Sequence, residues 1–115
     1  MVRWLTKHLG TASCQESLES DIHKIDVTDL VEGAGNDHDI LRTRILESVT
    51  ALRGGRNVVV CCDRGIVRSN TLAIVILMCS GSTYKEALKL VLKEVGGESI
   101  NMDLLRDTTE AVNST

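Results

Sequence analysis

Cys62 and Arg68 stand six positions apart, with Gly65 between them and Ser69 directly after, in the run Cys62-Asp63-Arg64-Gly65-Ile66-Val67-Arg68-Ser69. The apolar stretch Val58-Val59-Val60-Cys61 precedes this run, and Asn70 followed by Thr71-Leu-Ala-Ile-Val-Ile-Leu-Met-Cys79 comes after it. Where a strand turns tightly into a helix, the first backbone N–H groups of the helix have no internal partner. They point, with the positive end of the dipole, at whatever fills the turn. Such a turn is a cradle for an oxyanion. A cysteine at its head has its thiolate favoured by the helix N-terminus and by a nearby guanidinium, so Cys62 is expected to be a nucleophile at neutral pH. Arg68 can fold back from the far end and hold two oxygens of a tetrahedral anion in its planar fork, a geometry lysine lacks. Gly65 leaves room for the turn.

The flanking pattern supplies the elements that must hold this loop. Val58 to Cys61 is uninterrupted and β-branched after Gly54-Gly55, as suits a strand buried on both faces of a parallel sheet. The segment after Ser69 is apolar all round and closed by Gly81, which predicts a buried central helix. Leu41, Ile45, Val49 and Leu52 share one face of a helix over His38 to Arg53, with Asn36 or Asp37 as its cap. Thr83 and Glu86 form a capping box ahead of Tyr84, Ala87, Leu88, Val91, Leu92 and Val95 at helical spacing. A last helix runs from Asn101 or Met102 to Val112. Val2 to Leu5 and Ile22 to Val27 read as short strands, a short helix is expected ahead of Leu18 to Asp21, and Glu32 to Asp37 reads as an exposed loop. Strands interleaved with helices predict an α/β fold with a central, mostly parallel sheet.

Composition sets the surroundings. The 115 residues suit one domain over 1–115, and 43% apolar content without phenylalanine requires an aliphatic core. A formal charge of −3 argues against nucleic-acid binding, so phosphate affinity must be local. Met1 to Gly10 lacks the apolar run of a secretory signal. No stretch approaches the roughly 18 apolar residues of a membrane span, so a cytoplasmic protein is expected. Four cysteines, Cys14, Cys61, Cys62 and Cys79, have no framework-like or metal-like spacing and are expected to be reduced. His8, His23 and His38 are scattered and predict no metal site, and Trp4 and Tyr84 are expected to be packing residues.

Cys62-X5-Arg68-Ser69 with its central Gly65 resembles the signature loop of the cysteine-dependent protein phosphatases, and most of all their dual-specificity branch. Ile25-Asp-Val-Thr-Asp29 is similar to that family's strand ending in an aspartate, Val58-Val-Val to its strand before the nucleophile, and Ser69 to Leu77 to its central helix. Gly81-Ser-Thr-Tyr-Lys-Glu-Ala-Leu and Ile100-Asn-Met-Asp-Leu-Leu resemble its last two helices. The likeness spans about residues 22 to 112 and implies a protein-tyrosine-phosphatase-like fold. It implies that Cys62 attacks phosphorus to form a cysteinyl-phosphate. The loop from Cys62 through Asp63, Arg64, Gly65, Ile66 and Val67 to Arg68 would hold the equatorial oxygens, and Ser69 would assist loss of the thiolate. Asp29 would be the general acid, preferred over Asp26, Asp37 and Asp39 because it ends the matching strand. No metal or cofactor is implied, and the partners would be phosphorylated protein substrates.

Cys61 stands where the family usually has a histidine, which predicts modest activity, and Cys61, Cys14 or Cys79 are the thiols able to trap an oxidised Cys62. Little chain is left to wall the cradle. A shallow site open to phosphoserine and phosphothreonine as well as phosphotyrosine is therefore expected. A Cys-X5-Arg loop also occurs in low-molecular-weight phosphatases, arsenate reductases and rhodanese-like sulfurtransferases, but the central position of Cys62 and the upstream acid set this chain apart from the low-molecular-weight enzymes. The alternatives to a protein phosphatase are a phosphatase of phosphoinositides or other phosphate esters, and a phosphate-binding pseudophosphatase acting as an interaction module.

Overall fold

β4 (Val58–Cys62) is buried at all five positions, which is the expected fate of a β-branched run with neighbours on both sides. In the computed structural model, which describes residues 1–64, 66–96 and 99–113, it lies between β2 (Leu9–Ser13) and β3 (His23–Asp26), parallel to both. β1 (Arg3–Trp4) adds an antiparallel edge to β2, giving a mixed sheet in the order β1-β2-β4-β3. The register pairs Ser13 with Cys62 and Asp26 with Cys61, so the flanking strands end level with the nucleophile loop. The expected turn role of Gly65 lies outside the described residues, as does Gly97.

Val58, Val60 and Cys62 point into one core cluster shared with α1 (His38–Arg53), α2 (Val67–Cys79), α3 (Tyr84–Val95) and α4 (Met102–Asn113), while Val59 and Cys61 alternate onto the other face. α2 is central. Every residue from Ser69 to Leu77 is buried, and the helix packs against α1, α3, α4 and the two middle strands. The caps fall where the sequence puts them. The Asp37 carboxylate accepts from the N–H groups of Asp39 and Ile40, and Thr83 and Glu86 form the reciprocal capping box. At α4 the Asn101 side chain accepts from Leu104 N–H at 3.0 Å.

One expectation is corrected. No helix forms ahead of β3; after β2 the chain makes turns through about residue 22. β2 itself escapes a pattern reading because Leu-Gly-Thr-Ala-Ser is poor in strand formers. It is fixed instead by close approach: a Cβ at Gly10 would come within 2.7 Å of Val2 Cγ1 and 3.0 Å of Trp4 Cε3. Trp4 and Tyr84 are exposed, at 40% and 41%, with Trp4 still packed over Gly10. No helix of the described residues is long and apolar enough to cross a membrane.

Candidate active site

Cys62 is the last residue of β4, and Arg68 and Ser69 fall in the first turn of α2, so the sheet and the buried helix place both ends of the loop. The first intrahelical bond runs from Asn70 N–H to Ile66 C=O, which leaves the amides before it outside the helical ladder and available to an anion. No acidic side chain occupies that first turn. The loop is anchored from β2: Cys14 N–H donates to Cys62 C=O at 2.9 Å, and the Ser13 hydroxyl donates to Asp63 C=O at 2.9 Å. Cys62 Sγ lies 3.4 Å from Ser69 Oγ, with both residues buried.

Below the loop lies a buried polar layer in which Asn70 Nδ2 has no hydrogen-bond partner among the described residues. The Thr11 hydroxyl donates to Asn70 Oδ1 at 2.7 Å, and Asn101 N–H donates to Thr71 Oγ1 at 3.0 Å, tying α4 to α2. Thr11, Asn70 and Thr71 are wholly buried, where each bond spares a desolvated polar atom.

Arg68 is oriented by its neighbours before any ligand arrives. Its Nη1 donates to the carbonyls of Thr28 (2.7 Å) and Leu30 (3.0 Å), and its Nη2 meets Asp63 Oδ2 at 3.2 Å. Nε is buried and has no hydrogen-bond partner among the described residues. Nε and Nη2 form the side-on edge of the guanidinium, so the unsatisfied donor and the one shared with a mostly exposed aspartate together make the fork an oxyanion would take. Arg68 lines a cavity of about 390 Å³ together with Glu32, Cys62, Asp63, Arg64, Ile66 and Val67. Among the described residues, the positions assigned from the sequence therefore meet in one place, apart from Asp29.

Asp29 is held elsewhere. Arg44 of α1 grips both of its oxygens at 2.8 Å, and that hydrogen-bonded pair, above all other influences, keeps the Asp29 carboxyl below the usual carboxylate range. It does not line the cavity. Asp26 is likewise lowered, chiefly by the Thr28 hydroxyl, and Asp37 is spent on the α1 cap. Asp39 pairs with Arg42 at 2.7 Å. Glu32, not singled out from the sequence, is the acidic residue of the β3–α1 loop that lines the cavity. Its signal was only its place in a glycine-bearing loop.

The expectation of four reduced thiols is also corrected, because Cys14 and Cys61 form a disulfide while Cys62 and Cys79 remain thiols. Burial raises the Cys79 thiol above its ordinary value. Two groups of potential metal ligands occur among the described residues. In one, Cys14, Cys61 and Asp26, the sulfurs are already joined; the other, His38, Asp107 and Glu110, lies where Asp107 accepts from Gly35 N–H. A larger groove of about 580 Å³, lined by His23, Leu46, Glu47 and Arg56 among others, contains no cysteine.

This architecture is the fold of the dual-specificity phosphatases. Human DUSP28 superimposes with a TM-score of 0.77 at 14% identity, over 99% of this chain and 96% of its own. A mouse putative dual specificity phosphatase complexed with zinc tungstate gives 0.79 at 14% identity, over 98% and 87%. A human tyrosine phosphatase-like serine/threonine/tyrosine-interacting protein gives 0.71 at 16%, over 99% and 98%. No protein-family profile matches the chain, and no curated protein matches it at the level of sequence.

Proposed function

We propose that residues 1–115 form a single catalytic domain of a cysteine-dependent phosphatase that hydrolyses phosphotyrosine and phosphoserine or phosphothreonine esters of proteins. The observation that carries this reading is that Cys62 and Arg68 line one cavity, with the Arg68 Nε buried and without a hydrogen-bond partner among the described residues. Cys62 Sγ attacks phosphorus, its bond to the leaving oxygen breaks, and the Arg68 fork with the first α2 amides holds the equatorial oxygens. The Ser69 hydroxyl, beside Cys62 Sγ, donates to the sulfur as water displaces it from phosphorus. Asp29 enters as the acid only through the family resemblance, and its pair with Arg44 weighs against that role.

Support for an oxyanion ligand comes also from the mouse neighbour, whose structure is a zinc tungstate complex. A cytoplasmic location remains part of the proposal, with the Cys14–Cys61 bridge then a redox-responsive bond rather than a permanent one. The test is hydrolysis of a small aryl phosphate by the wild type and by Cys62→Ser. Turnover that vanishes in the variant supports the enzyme, and turnover that survives it refutes the assignment.

A second reading, a phosphate-binding interaction module, is favoured by one feature: Asp63 occupies half of the Arg68 fork. Vanadate binding by wild-type protein without Cys62-dependent hydrolysis would select it. A phosphatase of phosphoinositides or other phosphate esters uses the same chemistry, and a panel of phosphopeptides and phosphoinositides separates it from the protein phosphatase.

A further inference from the structure

Phosphoryl transfer from a phenol or an alcohol needs a proton on the leaving oxygen, and a carboxyl bound side-on by a guanidinium is poorly placed to give one. Protonating Asp29 would break two 2.8 Å charge-assisted hydrogen bonds to Arg44. Among the described residues, two other carboxylates line the Cys62 cavity, Asp63 and Glu32. Asp63 sits on Arg68 Nη2, where the equatorial oxygens must bind, and is displaced when they do. Glu32 comes from the opposite side of the loop system, the segment between β3 and α1.

That segment is held so as to present Glu32. Arg68 Nη1 fixes the carbonyls of Thr28 and Leu30, which links the acid-bearing loop directly to the anion-binding guanidinium. The Asn36 side chain brackets Val31, accepting from its N–H and donating to its C=O, both at 2.8 Å. Asn101 Nδ2, at the start of α4, donates to the Glu32 carbonyl at 3.2 Å. The backbone of Glu32 is thus pinned on both sides, and the residue is exposed and lines the cavity. A glutamate on a pinned backbone at the cavity lining is a candidate for proton transfer, for which reach comes first and acidity second.

We propose that Glu32, in place of Asp29, is the catalytic acid and base of this site, a proposal that rests on the phosphatase reading above. In the first step the Cys62 S–P bond forms and the P–O ester bond breaks. The proton of the Glu32 carboxylic acid moves to the leaving oxygen. In the second step water forms the new P–O bond, the S–P bond breaks, and the water proton returns to the Glu32 carboxylate. The cycle closes with no other reactant.

The experiment compares kcat/KM across pH for wild type, Glu32→Gln, Glu32→Asp, Asp29→Asn and Asp63→Asn, with phenyl phosphate and with 2,4-dinitrophenyl phosphate. The first has a poor leaving group that needs the proton; the second does not. Glu32→Gln should lose on the order of 100-fold with phenyl phosphate and much less with the dinitrophenyl ester, within the usual range for a general acid. It should also lose the alkaline limb of the phenyl phosphate profile, with Glu32→Asp restoring that limb at a reduced rate. Asp29→Asn and Asp63→Asn should keep it. An alkaline limb that survives Glu32→Gln but vanishes in Asp29→Asn or Asp63→Asn overturns the proposal while leaving the phosphatase intact. Absence of any Cys62-dependent turnover in the wild type overturns both.

Discussion

Breaking the Cys14–Cys61 bridge should cost a large part of the stability of this small domain. The two cysteines are 47 positions apart, and the bond joins the end of β2 to the penultimate residue of β4. In the loop-closure model a cross-link of that span removes about 14 cal/mol/K of entropy from the unfolded chain, or about 4 kcal/mol at 25 °C. For a domain of this size that corresponds to a fall in Tm on the order of 15 °C. Cys61 is wholly buried and Cys14 partly so, so little new hydration accompanies reduction in the folded state and the loss should be mainly one of chain entropy. The assay is thermal unfolding followed by circular dichroism for the wild type with and without a phosphine reductant, and for Cys14→Ser. Reductant also protects Cys62, so the serine variant isolates the bridge. Equal Tm values in all three samples would refute the reasoning, as would four titratable thiols in denatured, unreduced protein.

Asp63→Asn should free Nη2 of Arg68 and tighten phosphate or vanadate binding; because the pair is largely exposed on the aspartate side, a gain of roughly 2- to 5-fold in inhibition constant is expected. Arg44 lowers the folded-state pKa of Asp29, so the pair stabilises above the unfolded value near 3.9 and that contribution disappears as pH falls through the lower folded value. The Tm difference between wild type and Asp29→Asn should accordingly be present at pH 7 and shrink toward pH 2 in calorimetry; a difference that grows on acidification contradicts the pairing. Thr11→Val should cost about 1 to 3 kcal/mol in denaturant unfolding, since it leaves buried Asn70 Oδ1 without its donor. An unchanged midpoint would show that the polar layer under the loop carries no stability.

The parts of this molecule written in local chemistry were readable in the sequence, and the parts set by distant contact were not. α1 was predicted over His38 to Arg53 and found there, because its apolar period and both ends are local signals. The Thr83 capping box worked for the same reason. α2 begins at Val67, earlier than its apolar run suggests, since Arg68 and Ser69 are turned inward by the loop they serve. β2 has no strand signature of its own and depends on β1 and β4 for its conformation.

At the site, the spacing of Cys62 and Arg68 carried their juxtaposition, whereas the partners of the acids did not show. Nothing in Asp29 announces that Arg44, a turn into the next helix, will bind both its oxygens. Nothing in Glu32 announces the cavity. Four cysteines admit several pairings, and the one that forms depends on a parallel register between strands far apart in sequence.

The account stands or falls on a covalent phosphate carried by Cys62. Rapid acid quench of wild-type protein mixed with an aryl phosphate, followed by peptide mass spectrometry, measures it directly. A phosphoryl group on the Cys62 peptide, absent from Cys62→Ser and formed no more slowly than turnover, is the predicted result. Turnover with no phosphorylated Cys62 at any quench time, or a phosphoryl group found on another residue, would contradict it.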